Sequence, residues 1–227
     1  MMRVTKPAPN GKIKGAARQV LNRRDRRKRA TRQALLDATV ALLASRSIDA
    51  LSVDEIAMRA DVAKGTFYNY FPDKDALERD LSAHLRGRLE DEIARANEGI
   101  DDPAERIARA FCCLLRFCLG APEHAAALTR LFPHAIDPAA PINSGVRRDA
   151  AKGMTQGRIV AASEDAAVAC VMGVFAAGLN RALDLPAGRV REFAQGLGTI
   201  LLHGLGLKTA EAERIMRDAI EAILPRR

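Results

Sequence analysis

The sequence predicts an all-α protein, and three observations lead to this prediction. Alanine and leucine dominate the composition while only nine of the 227 residues are aromatic, so local propensity favours helix over sheet. Apolar residues recur at three- and four-residue spacing, and no stretch alternates apolar and polar residues as a half-buried strand would. With 48% hydrophobic and 28% charged residues, the chain has the balance of a globular protein with a real core.

Residues 1–27 are predicted to form a flexible basic arm. Four helix-breaking residues interrupt its first fifteen residues, namely Pro7, Pro9, Gly11 and Gly15. Residues 1–32 carry twelve Lys or Arg against one acid, which leaves 24 basic and 27 acidic residues for the rest of the chain. A basic segment on a near-neutral body indicates a nucleic acid or an anionic membrane as partner, but a solubilising tail would have the same charge.

Two helices are predicted after the arm. A helical period begins near Arg29, stops near Ser45 and gives one apolar stripe. Ser52 and Glu55 then have the spacing of a capping box, which predicts the start of a short helix of about two turns. The turn at residues 61–63 ends it.

A second short helix is predicted from Lys64 to about Tyr70, because Pro72 disfavours helical angles at the residue before it. Asp73 caps a longer helix with an apolar ladder formed by Leu77, Leu81, Leu85, Leu89 and Ile93. Two short helices joined by a short turn form a helix-turn-helix, whose second helix can enter the DNA major groove. A corner between two helices of a bundle would give the same spacing, so spacing alone leaves both interpretations open.

The second short helix has the chemistry of a DNA contact. The stretch "KGTFYNYFPDKDAL" holds four of the nine aromatic rings, and Phe67 and Phe71 share one face that should point into a core. The other positions offer small and polar groups suited to phosphates and base edges. Lys74, together with the free N–H groups that begin the next helix, predicts a second anion clamp.

The stretch "LSVDEIAMRADVAKGTFYNYFPDKDAL" resembles the DNA-binding signature of the Tet repressor (TetR) family of bacterial transcription regulators. The matching residues are Ile56, Ala57, Val62, Gly65, Tyr68, Phe71, Lys74 and Leu77. The resemblance covers roughly residues 29–77 and implies an all-α homodimer. It implies a three-helix DNA-binding domain at 28–74 and a helical ligand-binding and dimerisation domain at 75–227.

By the same resemblance, DNA-facing positions are implied at Lys64, Gly65, Thr66, Tyr68, Asn69, Tyr70 and Lys74. Ser52, Arg27 and Arg29 complete the predicted DNA contacts. The chain departs from the family pattern at Ser47 and Asp61, where glycine is usual, and at Ala63, where a hydroxyl residue is common. Aspartate tolerates the left-handed conformation, so the turn should survive, and the basic arm can offset the anchor that Ala63 lacks by lying along the DNA backbone or in the minor groove.

The second half is predicted to hold helices near 103–119, 122–132, 146–158, 163–183, 188–205 and 208–224. Small residues let two helix backbones approach closely, as they do between subunits and also inside a single-chain core. With the resemblance, we expect a dimer interface that includes Ala166, Cys170, Gly173, Ala177, Leu197 and Leu201.

A ligand pocket should be apolar with a few polar groups. The candidates for its wall are Phe111, Cys112, Leu115, Phe117, Met154, Met172 and Phe175, with His134 or Asn180 as polar handles. The chemistry of the ligand cannot be predicted from these residues.

The sequence therefore predicts a cytoplasmic, ligand-responsive, dimeric repressor that a small apolar or amphipathic effector releases from a palindromic operator in double-stranded DNA. The alternative is a thiol-based redox regulator that uses Cys112, Cys113 or Cys118. We expect no enzyme, cofactor or metal, because the sequence shows no nucleophile–base pair, no metal-ligand spacing and no glycine-rich phosphate loop. No uncharged apolar run approaches the roughly 18 residues of a membrane helix, so no membrane partner is expected.

Overall fold

The computed structural model describes residues 11–131 and 143–226, with side chains from residue 23 onward, and these residues form ten α-helices and no β-strand. The helices are α1 Gly11–Leu43, α2 Val53–Arg59, α3 Lys64–Tyr68, α4 Lys74–Ala96, α5 Pro103–Gly120, α6 Pro122–Leu131, α7 Ser144–Thr155, α8 Glu164–Asp184, α9 Val190–Gly204 and α10 Thr209–Ile223. The all-α prediction is confirmed, and the bounds predicted for α5–α10 agree within three residues. The proposed polar handle His134 lies outside the described residues.

The helix α1 begins much earlier than predicted. It starts at Gly11 rather than near Arg29, so the second part of the predicted flexible arm is helical. Both prolines of the arm precede Gly11, and the residues that follow are mostly Ala, Arg, Lys, Leu and Gln, which are strong helix formers. They outweigh Gly15, which costs about 1 kcal/mol relative to alanine in a helix.

The helices α1–α3 form a small N-terminal bundle, which we call the head. Its core consists of fully or almost fully buried side chains, namely Leu35, Leu36, Val40, Leu43, Ile56, Phe67 and Phe71. The apolar stripe predicted for the first helix supplies most of the α1 contribution. Burial of these side chains holds the short helices α2 and α3, which would not be stable alone.

The helix α4 joins the head to the other helices. Leu77, Leu81 and Leu85 are completely buried in its first half, whereas Leu89 and Ile93 are partly buried in its second half. The far end of α4 is held by α5: the Arg109 guanidinium donates to the carbonyl of Ala96, with Nε at 2.8 Å from the oxygen. The apolar ladder of α4 therefore touches different neighbours at its two ends.

The helix α5 lies in the middle of the C-terminal bundle and packs against α4, α8, α9 and α10. Twelve of its eighteen residues are buried, so it has apolar contacts around most of its circumference. The pair α9 and α10 approaches closely, because a Cβ at Gly198 would come within 2.4 Å of the Met216 sulfur. Arg158 adds a polar tie, since its guanidinium contacts the carboxylates of Asp102 at 2.7 Å and Glu211 at 2.9 Å.

The helix α8 has an unusual apolar surface. By its length and apolar composition alone it could cross a membrane, which the sequence analysis did not anticipate. Its buried side packs into the bundle through Ala167, Val168, Val171 and Phe175. Only 33% of its most apolar stretch of 18 residues is buried, however. Much of its apolar surface therefore has no cover within the described chain.

Candidate DNA interface and effector cavity

The turn between α2 and α3 has the geometry of a tight helix-turn-helix. Asp61 adopts a left-handed conformation with φ of 55°. The next residue closes the end of α2, because the Val62 N–H donates to the Ala57 carbonyl at 3.0 Å. The prediction that aspartate can replace the usual glycine in this turn is confirmed.

The start of α2 is fixed by the predicted capping box. The Glu55 N–H donates to the Ser52 hydroxyl at 3.2 Å, and the Ser52 N–H donates to the Glu55 carboxylate at 2.9 Å. A hydrogen bond from Arg46, aided by both groups of Ser52, lowers the pKa of Glu55 to about 2. The Ser52 hydroxyl thus already serves the helix, although it is exposed; its contact with DNA stays a prediction.

The helix α3 has a buried and an exposed side. Phe67 and Phe71 are 0% and 3% exposed with ring centroids 5.7 Å apart, which confirms that they share a core-facing side. Tyr68 is 50% exposed and is steadied by an edge-on contact with Phe67 at 5.4 Å. The exposed side, here called the recognition surface, comprises Lys64, Gly65, Thr66, Tyr68 and Asn69, of which only Thr66 is half-buried.

Gly65 stands in open space on the recognition surface. A Cβ built at this position would meet no atom of the described protein within 4 Å. The packing of this chain therefore does not require glycine here. A requirement for glycine would come from something outside the chain that approaches the backbone closely.

The side chain of Lys64 is paired with an exposed acid. Its ammonium lies 2.7 Å from the Asp54 carboxylate, and this hydrogen bond raises the pKa of Lys64. Both side chains are more than half exposed, so water screens the pair and it contributes little to stability. A phosphate can replace Asp54 as the partner of this lysine.

Two predicted DNA contacts, Tyr70 and Lys74, lie outside the recognition surface. Tyr70 follows the end of α3, is half-buried and packs partly against the core. The Lys74 ammonium donates to the carbonyl oxygens of Asp49 at 3.1 Å and Leu51 at 3.2 Å. Lys74 therefore ties the start of α4 to the loop before α2, a structural role that its position in the sequence did not reveal.

The exposed part of α1 concentrates positive charge. Residues 23–30 are all exposed and include six basic residues and one acid. The predicted DNA contacts Arg27 and Arg29 both belong to this segment. Because the basic residues surround the helix rather than follow one face, the segment has no apolar side with which to pack on the head.

A cavity of about 160 Å³ lies between α4, α5, α6, α7 and α8. Most of its wall is apolar and comprises Leu89, Ile93, Leu114, Leu128, Val146, Met172, Phe175, Ala176 and Leu179. The polar groups of the wall are Arg86, Glu90, Thr129, Asn143 and Asn180. This effector cavity, as we call it, combines an apolar wall with a few polar groups, as ligand sites do.

Only some of the predicted pocket residues line the effector cavity. Met172 and Phe175 do, together with the predicted handle Asn180. The others do not: Phe111, Cys112, Leu115 and Phe117 are buried in the bundle core, and Met154 packs against it. Because α5 is apolar on most sides, its sequence cannot show which side faces a cavity. The contribution of α4 was missed, although its apolar residues recur every four positions and therefore turn slowly around the helix axis, so that they face different neighbours at the two ends.

The three thiols of the alternative hypothesis are buried. Burial raises the pKa of Cys112 and of Cys118 to about 12, and it also raises the pKa of Cys113. Since the thiolate is the reactive form, these thiols are in the wrong environment for a redox sensor. Cys170, by contrast, is exposed on α8.

The predicted dimer residues divide between surface and core. Ala166, Cys170 and Ala177 are exposed on α8, and a Cβ at Gly173 would have open space around it. Leu197 is half-buried, whereas Leu201 is only 1% exposed and packs inside its own chain. The neighbouring Ile200, which the sequence analysis missed, is 66% exposed instead.

The described ranges contain no group of three or more His, Cys, Asp or Glu side chains that could hold a metal ion. Charged groups there serve mainly as ties between helices. Arg106, for example, binds the Asp149 carboxylate at 2.8 Å and the carbonyl of Asn97 at 3.2 Å.

Comparisons with known proteins agree with this geometry. The model of the N-terminal domain of bacterial regulatory proteins of the tetR family matches residues 35–81. The model of a tetracyclin repressor-like C-terminal domain matches residues 102–218, which is more than half of the chain. Together the two matches include the helix-turn-helix and most of the cavity wall.

Curated relatives include the HTH-type transcriptional repressor KstR of two bacteria. The chain is 39% identical to KstR of Mycolicibacterium smegmatis over 87 residues, which are 38% of this chain and 35% of that protein. It is 35% identical to KstR of Rhodococcus jostii over 118 residues, or 48% of each chain. The chain thus matches between a third and a half of the length of these two relatives.

Solved structures share the fold over most of the chain. RolR in complex with resorcinol is 25% identical with a TM-score of 0.57, and the match covers 88% of this chain and 97% of RolR. A TetR-like regulator from Rhodococcus sp. RHA1 has a TM-score of 0.62 at 20% identity, over 78% of this chain and 97% of that one. By both family models and by its architecture, the chain belongs to the TetR family of bacterial regulatory proteins.

Proposed function

We propose that this protein is a dimeric, sequence-specific DNA-binding repressor, which a small apolar or amphipathic molecule releases from its operator. The observation that carries the proposal is the division of α3 into two sides. Phe67 and Phe71 fix the helix in the core of the head, and Tyr68 and Asn69 stand exposed on its outer side. A rigidly held helix with an exposed polar side is what insertion into the major groove requires.

Contacts with phosphates and with bases have separate sources in this proposal. Lys64 at the start of α3 and Arg27 and Arg29 of α1 supply positive charge for the DNA backbone. Thr66, Tyr68 and Asn69 supply hydroxyl and amide groups for base edges or nearby phosphates. Gly65, free of any contact that needs glycine, lets the DNA approach the backbone.

A dimer would place two recognition surfaces on one operator. The exposed small residues of α8 and the exposed Ile200 of α9 form an apolar surface, here called the α8–α9 surface, that suits a second copy of the chain. Only 33% of the most apolar stretch of α8 is buried within the chain, and a second copy would cover the rest. A two-fold dimer reads a palindromic site whose halves lie about 34–36 Å apart.

The effector would act through α4. Leu89 and Ile93 of this helix line the effector cavity, and Leu77 and Leu81 of the same helix are buried at its head end. A ligand that separates α4 from α8 would therefore move the head. Support comes from the KstR relatives, which are repressors, and from RolR, whose structure contains resorcinol. We place the protein in the cytoplasm, where its DNA partner is found.

Recovery of genomic DNA bound by the protein, followed by affinity measurements on the recovered site, tests the proposal. We expect Tyr68→Ala and Asn69→Ala each to weaken binding about 5- to 160-fold for each half-site of the operator, as loss of a base contact worth about 1–3 kcal/mol predicts. Arg217→Ala on α10 is the control, because Arg217 is exposed and far along the chain from the head. Unchanged affinity in both head variants would contradict the assignment of the recognition surface.

Sedimentation velocity tests the dimer. Ala177→Arg should place a charge in the α8–α9 surface and convert the protein to monomers with weak operator binding. Ala210→Arg, on the exposed side of α10, is the matched control and should leave a dimer. A dimer that persists in Ala177→Arg would show that this surface is not the interface.

A further inference from the structure

We propose, in a step that rests on the function proposed above, that the effector is an uncharged molecule with one six-membered ring and a hydroxyl-like substituent. The ring would occupy the effector cavity and the substituent would bond to the side chain of Asn143. The volume of the cavity, the apolar character of its wall and the charges of its wall each restrict the ligand. Simple phenols satisfy all three restrictions.

The volume of the cavity limits the ring system. An apolar protein cavity of about 150 Å³ holds one benzene ring. The effector cavity, at about 160 Å³, has the same size. A single ring fills it, whereas a fused ring system has to extend through its opening into water.

The wall suits a flat apolar ring. Aliphatic side chains of α4, α5 and α6 surround the space, among them Ile93, Leu114 and Leu128. Phe175 adds an aromatic face, and its ring is supported from behind by Phe111 at a centroid distance of 5.5 Å. Aromatic rings stack favourably in offset or edge-on arrangements, so Phe175 favours an aromatic ligand over a flexible aliphatic ligand.

Asn143 supplies a polar group deep in the protein. It is 0% exposed, stands at the N-terminal cap position of α7 and lines the cavity. A carboxamide has two N–H donors and an acceptor oxygen, so it can either donate to a hydroxyl oxygen or accept from a hydroxyl hydrogen. Within the described wall it is the polar side chain best shielded from water, where a hydrogen bond contributes most to selectivity.

The charges of the wall favour a neutral ligand. Arg86 and Glu90 are the charged side chains of the described wall, and they lie one helical turn apart on α4. Their formal charges cancel. A carboxylate ligand would gain from Arg86 but be repelled by Glu90, and it would also lose its hydration on entry.

Titration calorimetry with three matched probes tests the class of ligand. The full-length protein should bind 4-methylphenol about tenfold tighter than toluene, the margin that one hydrogen bond of about 1.4 kcal/mol gives. It should bind 4-methylphenol at least tenfold tighter than benzoate, which carries a full charge. Equal affinities for 4-methylphenol and toluene, or tighter binding of benzoate, would overturn the inference.

Two variants locate the site. Ala176→Phe should fill the cavity and abolish binding of all three probes, because Ala176 lies in its wall. Asn143→Leu should remove the preference for 4-methylphenol over toluene. If that variant does not fold, Ala176→Phe and the three-probe comparison on the unaltered chain still decide the question.

Operator binding separates this inference from the proposed function. If the protein binds its operator but none of the three probes binds, the ligand class is wrong and the regulator assignment stands. Probe binding that is unaffected by Ala176→Phe also overturns the inference, since the ligand then sits elsewhere. Failure to bind any genomic DNA, by contrast, would remove the proposed function itself.

Discussion

Arg130 of α6 donates a hydrogen bond of 2.6 Å from Nη1 to the carbonyl oxygen of Leu43, which is the last residue of α1. Leu43 belongs to the core of the head, and the two residues before Arg130, Leu128 and Thr129, line the effector cavity. One short helix thus contacts both the cavity and the head. The guanidinium also places a positive charge at the negative end of the α1 dipole.

We expect Arg130→Met to lower stability by about 0.5–1 kcal/mol, because a partly exposed cation at a helix C-terminus contributes that amount. For a chain of this size the melting temperature should fall by about 1–4 °C, which thermal unfolding followed by circular dichroism can measure. The effector should also release DNA less efficiently from this variant. Arg217→Met is the control; an equal loss of stability there would show that the bond to Leu43 contributes nothing specific.

Phe67→Ala and Tyr68→Ala should separate folding from DNA binding, although the two residues are adjacent. Phe67 is fully buried, so its truncation should cost about 3–5 kcal/mol of unfolding free energy. Tyr68 is half exposed, so its truncation should cost about 1 kcal/mol or less, mainly the contact with the Phe67 ring. Urea unfolding measures both values, and a large loss for Tyr68→Ala would mean that its ring is structural.

The basic segment of α1 should determine much of the salt dependence of DNA binding. If Arg27 and Arg29 of each chain in the dimer neutralise one phosphate apiece, Arg27→Gln/Arg29→Gln should reduce the slope of log affinity against log salt by about 3.6. The double variant Arg214→Gln/Arg217→Gln on α10 has the same charge change and should leave the slope unaltered. An unchanged slope in the α1 variant would show that Arg27 and Arg29 do not neutralise DNA phosphates.

In the Ala177→Arg variant, whose α8–α9 surface is not covered by a second copy, thiol modification at pH 8 should label Cys170 rapidly and the three thiols of α5 slowly. A pKa of about 12 leaves about one part in ten thousand of the Cys112 and Cys118 thiols ionised at that pH. Reaction with a disulfide reagent, followed by its absorbance, should give one fast equivalent per chain. Cys170→Ser should remove that fast phase, and a fast phase that remains would revive the thiol-switch hypothesis.

The helix-turn-helix could be predicted because its signals are local. The Ser52–Glu55 capping box, Asp61 in the turn and Pro72 after α3 each act on the backbone within a few residues. The pair Phe67 and Phe71 gives its direction by helical spacing alone. Such features can be predicted because the interactions that position each residue involve only its near neighbours in the sequence.

The cavity wall and the role of Lys74 depend on residues far apart in sequence, and local patterns could not predict them. The wall combines Ile93, Leu128 and Phe175 from three helices, and their meeting depends on how the bundle packs. The helix α1 is longer than predicted for a different reason: the long run of helix formers after Gly15 outweighs the cost of that glycine.

The burial pattern of α4 has a consequence for protein engineering. Leu77, Leu81 and Leu85 belong to the same continuous apolar cluster as the residues of α5 and α10. No layer of polar residues therefore separates the head from the C-terminal bundle. A chimera that joins this head to the C-terminal bundle of another regulator cannot have its junction at residue 74. The join has to fall beyond Leu85, or the donor has to supply leucines that fit this head.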